Sequence, residues 1–535
     1  MTIRPDITFL APTPPDVSAF GVRSLSAFLR RQGFRTRIVF LPGSIGLLTE
    51  GGGFAYHYES STMDDIVELC RDSALVGVSF MSSYFDRAVQ LTAGLKGTIG
   101  STVIWGGIHP SCKPEEALEH ADMVCVGEGE EALAELLAKL RAGEDGRRVP
   151  GIWCRDGAQI VKSPLRPLIR DLDSLPHFDF SNEEHFIFDP DAERVVPLTD
   201  AILKKALPLL PSFGRTSKRA FRTMTDRGCP HRCAYCNVSN LRAMYQGDPT
   251  PYLRARSVGD VIDELAAIRV RFPFVEAIQF FDDTFFARPA AQIREFAARY
   301  RERVGLPFYC QASPTTLTEE KLSSLIDAGL VYVEMGIQTG SARIKELYHR
   351  TESNEKILEV TNILHRHRDR LLRPDYHIII DNPWEDESDT YETVKLLFQI
   401  PKPFGLCISS LVFFPQTELY NKAIQEGILT DEVADICRKP FYMPPKRTYV
   451  SFLIYLLTFQ RFPRWLLALL VRERTVRLLS GRRLAPVYGV FYFIGEGVRF
   501  AGRGLDAVRR GDWKRIALFF REKLARDRVV AGRKS

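Results

Sequence analysis

The chain has 535 residues, 45% hydrophobic and 26% charged, with a formal net charge of +6. At roughly 100 to 200 residues per domain it holds two to four folded domains, and a disordered or collagen-like chain is excluded. Its 10 cysteines are too sparse for a disulfide scaffold, and no charged segment followed by an apolar run and a small-residue cleavage site opens the sequence, so a reducing cytosol is the expected compartment.

Residues 1–145 alternate buried-strand runs with helix-period segments. Ile7–Leu10, Arg37–Phe40, Leu75–Phe80, Thr102–Trp105 and Met123–Val126 read as five strands, and Val22–Arg31 and Met63–Arg71 as helices between them. That is the pattern of an α/β, doubly wound, Rossmann-like parallel sheet, whose ligands sit at the carboxyl ends of the strands. The first βα turn reads Ala11-Pro12-Thr13-Pro14-Pro15-Asp16, which lacks the glycines an NAD or FAD site needs. Glycines follow the fourth strand instead, as Gly106-Gly107, and the fifth, as Gly127-Glu128-Gly129-Glu130.

Residues 146–215 lack sustained periodicity and read as an irregular connector. A second βα series fills residues 216–430, with strand runs ending at Arg227, Phe281, Cys310, Gly336, Ile380 and Phe414. The helices expected between them are Val258–Phe272, Ala290–Val304, Glu319–Ala328, Ala342–His349, Glu355–Arg368 and Thr390–Gln399. Six such repeats predict a (β/α)6 barrel, complete or partial, with its chemistry at the carboxyl strand ends.

Residues 431–535 are apolar-rich and basic and are expected to be mainly helical. From Arg472 to Ser535 there are 17 Lys or Arg against 6 Asp or Glu, so the rest of the chain is slightly acidic. Val450–Leu457, Trp465–Val471 and Val487–Ile494 are apolar and aromatic, and Val498–Arg528 is basic with helical period. No stretch reaches the 18 or so uninterrupted apolar residues of a membrane span. The region is expected to pack on the barrel with solvated basic faces; the alternative is peripheral membrane contact, with Arg and Lys on anionic headgroups. No nucleic-acid-binding module is recognisable, and no nucleic-acid partner is expected.

The strongest motif is Gly228-Cys229-Pro230-His231-Arg232-Cys233-Ala234-Tyr235-Cys236, a CxxxCxxC directly after the first barrel strand. Gly228 and Pro230 keep the segment out of helix, so a loop can wrap three thiolates around one centre. Three thiolates suit a 4Fe-4S cluster whose fourth iron stays open. A structural zinc normally takes four protein ligands, and with no second CxxC pair His231 would have to be the fourth.

In this setting the motif resembles the radical S-adenosylmethionine (SAM) superfamily. The resemblance implies a 4Fe-4S cluster on Cys229, Cys233 and Cys236, SAM bound at its open iron, and a reductant such as flavodoxin or ferredoxin. Tyr235 stands where that family keeps an aromatic residue beside the cofactor. Phe281-Asp282-Asp283-Thr284-Phe285 is similar to its acidic strand-end motif, which implies that Asp282 and Asp283 meet the SAM ammonium group. Gly336-Ile337-Gln338-Thr339-Gly340-Ser341 resembles the segment that reaches the SAM ribose and carboxylate, with Gln338 where Glu is common, and so implies Gln338 and Ser341 as SAM contacts. Ile380-Asp381-Asn382-Pro383-Trp384-Glu385 and Phe414-Pro415-Gln416-Thr417-Glu418-Leu419 are similar to two further strand-end segments. The plainer alternative is that Asp282 and Asp283 cap the next helix and the glycines serve turns.

The amino-terminal half resembles the cobalamin-binding domain fused to one class of these enzymes. The match rests on Ser79, in Val78-Ser79-Phe80-Met81, on Gly106 and Gly107, and on Glu128, which the resemblance implies as cobalamin contacts. No Asp-x-His-x-x-Gly follows the first strand, which implies cobalamin without a histidine ligand from below. His109 is expected to be structural or to contact the nucleotide tail, with cobalt ligation as the alternative; the rival for the whole domain is a vestigial sheet that holds no cofactor. Together these features imply methylation of an unreactive carbon through methylcobalamin and a 5′-deoxyadenosyl radical, on a small-molecule or lipid-like substrate. The alternatives are a non-methylating cyclisation or rearrangement and, from another class, a non-catalytic metal- or lipid-binding protein, against which the intact cysteine triplet argues. Cys310 and Cys407 are expected to be buried, inert thiols rather than partners of a substrate radical.

Overall fold

The computed structural model describes residues 4–12, 17–41, 57–213, 217–437, 448–481, 484–495 and 497. The Thr13–Asp16 part of the first βα turn and the basic Val498–Arg528 segment lie outside the described residues. Two sheets organise the chain. The first is built on the five expected strands: β1 (Ile7–Ala11), β2 (Thr36–Phe40), β3 (Leu75–Ser79), β4 (Val103–Gly106) and β5 (Met123–Cys125). These pair in parallel in the order β5-β4-β3-β1-β2 and are almost wholly buried, because helices cover both faces.

The 146–215 stretch differs from expectation. It supplies β6 (Ile152–Asp156) and β7 (Gln159–Lys162), an antiparallel hairpin beside β5, and β8 (His185–Asp189) and β9 (Arg194–Pro197), a hairpin whose first strand runs parallel to β2. The first sheet therefore has nine strands. These edge strands are four or five residues long and mostly half-exposed, so their period-2 signal is too short to stand out from loop.

The second sheet begins with β10 (Leu209–Leu210), antiparallel to β11 (Lys218–Thr223). The chain then makes a two-residue ribbon of β12 (Asp226–Arg227) and β13 (Arg254–Ala255). From β11 onward β14 (Ala277–Phe280), β15 (Phe308–Ala312), β16 (Leu330–Gln338), β17 (Asp375–Ile380) and β18 (Gly405–Ser410) add in parallel. The sheet ends at β10 and β18 without closing, so the barrel is partial. The first barrel strand stops at Thr223 rather than Arg227, and the last at Ser410 rather than Phe414. Helices Val258–Arg271, Ala290–Arg303, Glu319–Ala328, Ala342–Leu347, Asn354–Arg366 and Glu387–Gln399 alternate with the strands and bury apolar stripes such as Val261, Ile262 and Leu265.

Helix Tyr449–Leu457 buries Val450, Leu453 and Ile454, and the Tyr391 hydroxyl of helix Glu387–Gln399 donates to the Val471 carbonyl at 2.6 Å, tying the carboxyl-terminal helices to the barrel. Trp465 and Phe493 are 68% and 80% exposed. Among the described residues no helix is long and apolar enough to cross a membrane.

Candidate active site

The cysteine loop is held by its own backbone and by its neighbours. Gly228 has φ +94°, and a Cβ there would stand 2.6 Å from the Tyr252 carbonyl oxygen, so this entry to the loop requires glycine. The Cys236 amide donates to the Cys233 carbonyl at 3.1 Å, the Ala234 amide to the Tyr348 carbonyl at 3.1 Å, and Arg242 Nη2 to the Cys229 carbonyl at 2.8 Å. Burial pushes the Cys229 thiol up to about 12 and the Cys236 thiol to about 11. A cation bound to the thiolates would reverse that preference.

His231 Nε2 lies 2.8 Å from Ser313 Oγ, a contact that fixes the orientation of its ring beside the loop. Among the described residues no three His, Cys, Asp or Glu side chains converge tightly enough for a single metal ion. Three thiols with no fourth protein ligand converging on them among those residues suit a four-iron cluster, whose fourth iron stays open, better than a single zinc.

The strand-end residues divide into engaged and accessible. Asp282 is fully buried: its Oδ1 accepts the Thr225 and Asp226 amides at 2.6 and 2.8 Å, and its Oδ2 lies 3.0 Å from the Thr225 hydroxyl. Its carboxylate is thus spent on the link between β11 and β12, which differs from the expected contact with SAM. Asp283 is solvent-accessible but recessed beside Cys229 and Cys236, and burial together with the Asp282 charge pushes its carboxyl up to about 6. Gln338 takes φ +66° at the end of β16, where the pairing with β17 is irregular. Ser341 caps helix Ala342–Leu347 by accepting the Ile344 amide, and donates to Asp389 Oδ1 at 2.6 Å, so its hydroxyl is engaged on both sides. Tyr235 packs edge-to-face on Tyr348, with ring centroids 5.0 Å apart. Cys310 is buried as expected, whereas Cys407 is half-exposed, although its surroundings still push its thiol up to about 12.

A cavity of about 280 Å³ lies between the two sheets. Ser79, Gly106, Gly107 and Glu128 line one wall, from the carboxyl ends of β3, β4 and β5, and Met224, Thr225, Asp226 and Arg227 line the other, just before the cysteine loop. Phe9, Val78, Ile104, Trp105 and Phe178 make it largely apolar. A Cβ built at Gly106 would meet nothing closer than 3.8 Å, whereas one at Gly107, with φ +96°, would stand 2.8 Å from the Phe80 carbonyl oxygen. A glycine-floored, largely apolar cavity at the carboxyl strand ends is where a sheet of this kind takes its ligand.

Glu128 does more than line this wall. Its oxygens accept from Arg227 at 3.1 Å, from both terminal nitrogens of Arg254 at 2.9 and 3.0 Å, and from the Ile169 amide at 2.9 Å. Burial alone would push Glu130 up, but the Arg227 guanidinium, 2.5 Å away, holds it below its ordinary value. His109 is buried outside the cavity lining, against the rings of Phe80 and Phe85, with Nδ1 3.0 Å from Ser82 Oγ. Its Nε2 is buried, with Glu116 Oε2 3.9 Å away. The Glu128 and Glu130 pairs and Arg350, which approaches Cys233, join residues far apart in sequence and carry no local motif.

Comparison with known proteins matches residues 8–137 to the B12 binding domain and residues 225–396 to the radical SAM superfamily. The chain is 23% identical over 377 residues to an uncharacterized methyltransferase, PH0819, of Pyrococcus horikoshii, covering 69% of this chain and 74% of the relative. It is 24% identical over 445 residues to the anaerobic magnesium-protoporphyrin IX monomethyl ester cyclase of Cereibacter sphaeroides, covering 74% of this chain and 66% of the relative. The fold matches the radical S-adenosylmethionine methyltransferase TsrM from Kitasatospora setae, solved with cobalamin and a [4Fe-4S] cluster, with a TM-score of 0.59 and 16% identity over 79% of this chain and 78% of that one.

Proposed function

Because the chain joins a B12 binding domain to a radical SAM domain, it belongs to the cobalamin-binding radical SAM enzymes, and we propose that it methylates an unreactive carbon of a small-molecule substrate. The observation that carries this reading is the shared cavity, whose one wall is the strand-end glycines and whose other wall runs directly into the cysteine loop. When bound, the cluster and SAM supply a 5′-deoxyadenosyl radical and cobalamin supplies a methyl carrier. Cys229, Cys233 and Cys236 would hold the cluster, and Ser79, Gly106 and Gly107 the corrin. Asp283, the accessible carboxylate of the acidic pair, would take the SAM ammonium group, while Asp282 keeps the loop in place. Gln338 would offer its amide to SAM without adding charge. Tyr235 would pack beside the cluster, and Ser341 would act through its cap on the following helix.

Enzymes of this kind draw electrons from an external reductant; here a flavodoxin- or ferredoxin-like protein in a reducing cytosol is the proposed donor. The exposed Trp465 and Phe493, with Arg461 and Arg464 nearby in the chain, support peripheral contact with an anionic membrane and a hydrophobic or lipid-like substrate. Flotation with anionic liposomes that is unchanged by W465S/F493S removes that contact.

The likeness to the cyclase over 445 residues favours ring closure as the second reading. One experiment separates them: protein reconstituted anaerobically with iron, sulfide and cobalamin is reduced and given SAM and cell extract. Methylation yields S-adenosylhomocysteine and a product heavier by one methylene; ring closure yields 5′-deoxyadenosine without S-adenosylhomocysteine. Neither product above the level of a C229A/C233A/C236A variant overturns the proposal.

A further inference from the structure

We infer that Arg350 is a positioning residue that sets the reduction potential of the cluster and ties it to the strand end at Gly336. Its side chain is 6% exposed and spans three elements. Nη1 lies 3.8 Å from Cys233 Sγ, Nη2 donates to the Gly336 carbonyl at 2.8 Å, and Nε donates to Glu352 Oε1 at 2.6 Å. The planar guanidinium is thereby fixed on a cluster ligand from one side and on β16 from the other, and it cannot turn away from the sulfur without giving up two oxygen acceptors.

A charged donor on a ligating thiolate favours the more negative state of the cluster. Reduction adds one negative charge, and in a buried site the nearby guanidinium stabilises that charge strongly. Glu352, 2% exposed, offsets part of the effect through its ion pair with Arg350. The two residues therefore act in opposite directions: Arg350 raises the potential, and Glu352 holds that rise in check.

The inference rests on the cluster assignment above, and its test separates the two. The full-length protein and its R350Q, R350K and E352Q variants are reconstituted anaerobically, assayed for iron and sulfide, and titrated by electron paramagnetic resonance against dithionite-poised mediators. R350Q is expected to lower the midpoint by about 59 mV or more, a tenfold fall in the reduced-to-oxidised ratio at fixed poise. R350K falls between R350Q and the parent, because an ammonium keeps the charge but not the fork. E352Q raises the midpoint. If R350Q takes up no iron, R350K and E352Q decide the matter. Midpoints equal to the parent's, or shifts of the same sign for Arg350 and Glu352 variants, overturn the role of Arg350 alone. A parent that takes up no cluster overturns both inferences.

Discussion

Glu128 on the loop after β5 grips Arg254 in the β12–β13 ribbon through both of its oxygens, at 2.9 and 3.0 Å. Arg254 is 6% exposed on its side chain, so this pair is a largely dehydrated clamp between the first sheet and the β12–β13 ribbon. Removing one partner leaves the other charge buried. Glu128→Ala is expected to cost on the order of 3 kcal/mol, and Glu128→Gln less, because the amide oxygen still accepts. Urea unfolding followed by fluorescence checks this; a loss below about 1 kcal/mol for Glu128→Ala rules the clamp out.

The acidic pair should split by function. Asp282→Asn turns an acceptor into a donor opposite backbone amides or the Thr225 hydroxyl, and is expected to cost about 1 to 3 kcal/mol of stability. Asp283→Asn removes a carboxylate that burial and the Asp282 charge disfavour, so it should hold or raise stability near neutral pH and weaken SAM binding about tenfold, some 1.4 kcal/mol. Thermal melts and equilibrium dialysis with labelled SAM distinguish the two. Equal SAM affinity in Asp283→Asn and the parent removes its proposed role.

Neighbouring glycines should fail differently. A Cβ at Gly106 makes only an ordinary contact, 3.8 Å from Cys125 Cβ, on the wall of the cavity, so Gly106→Leu should fold and yet lose cobalamin through gel filtration. Gly107→Ala places a Cβ against the Phe80 carbonyl at positive φ, and should lose on the order of 1 to 3 kcal/mol of stability before any ligand is considered. Cobalamin retained by Gly106→Leu as well as by the parent would move the corrin elsewhere.

His109 gives the amino-terminal domain an acid limit. Burial pushes its imidazole down to about 4, with the Lys113 charge acting in the same sense and Glu432 against it. Below the unfolded-state value near 6.5, the unfolded chain takes up a proton that the folded one refuses, so stability falls as pH drops from about 6.5 towards 4. At pH 5.5 the cost is about 1.4 kcal/mol. His109→Gln should flatten this part of the stability-versus-pH curve relative to the parent; parallel curves would show that His109 titrates normally.

The strands that sheathe both cores were legible because they are continuous apolar runs, and the cysteine loop because three thiols at fixed spacing have few other uses. The hairpins at the edges of the first sheet were not, since Gln159–Lys162 and Arg194–Pro197 are exposed at both ends and too short to display alternation. Asp282 shows the deeper limit: a carboxylate after a strand is visible in sequence, but whether it meets solvent or two backbone amides depends on the path of a segment 57 residues earlier. Arg350 is harder still, because its meeting with Cys233 spans 117 residues and follows no motif.

The position of β8 has a consequence for how the chain is made. Ile38 of β2 finds its outer neighbour only in His185. At 5 to 20 residues per second, translation leaves the outer edge of β2 bare for roughly 7 to 30 seconds after that strand is synthesised. Over that interval the nascent chain presents a row of free amides and carbonyls, the kind of edge that invites pairing with other chains. A ribosome-bound chain stalled before β8 emerges should therefore recruit holdase chaperones, and one stalled after Pro197 has cleared the exit should release them.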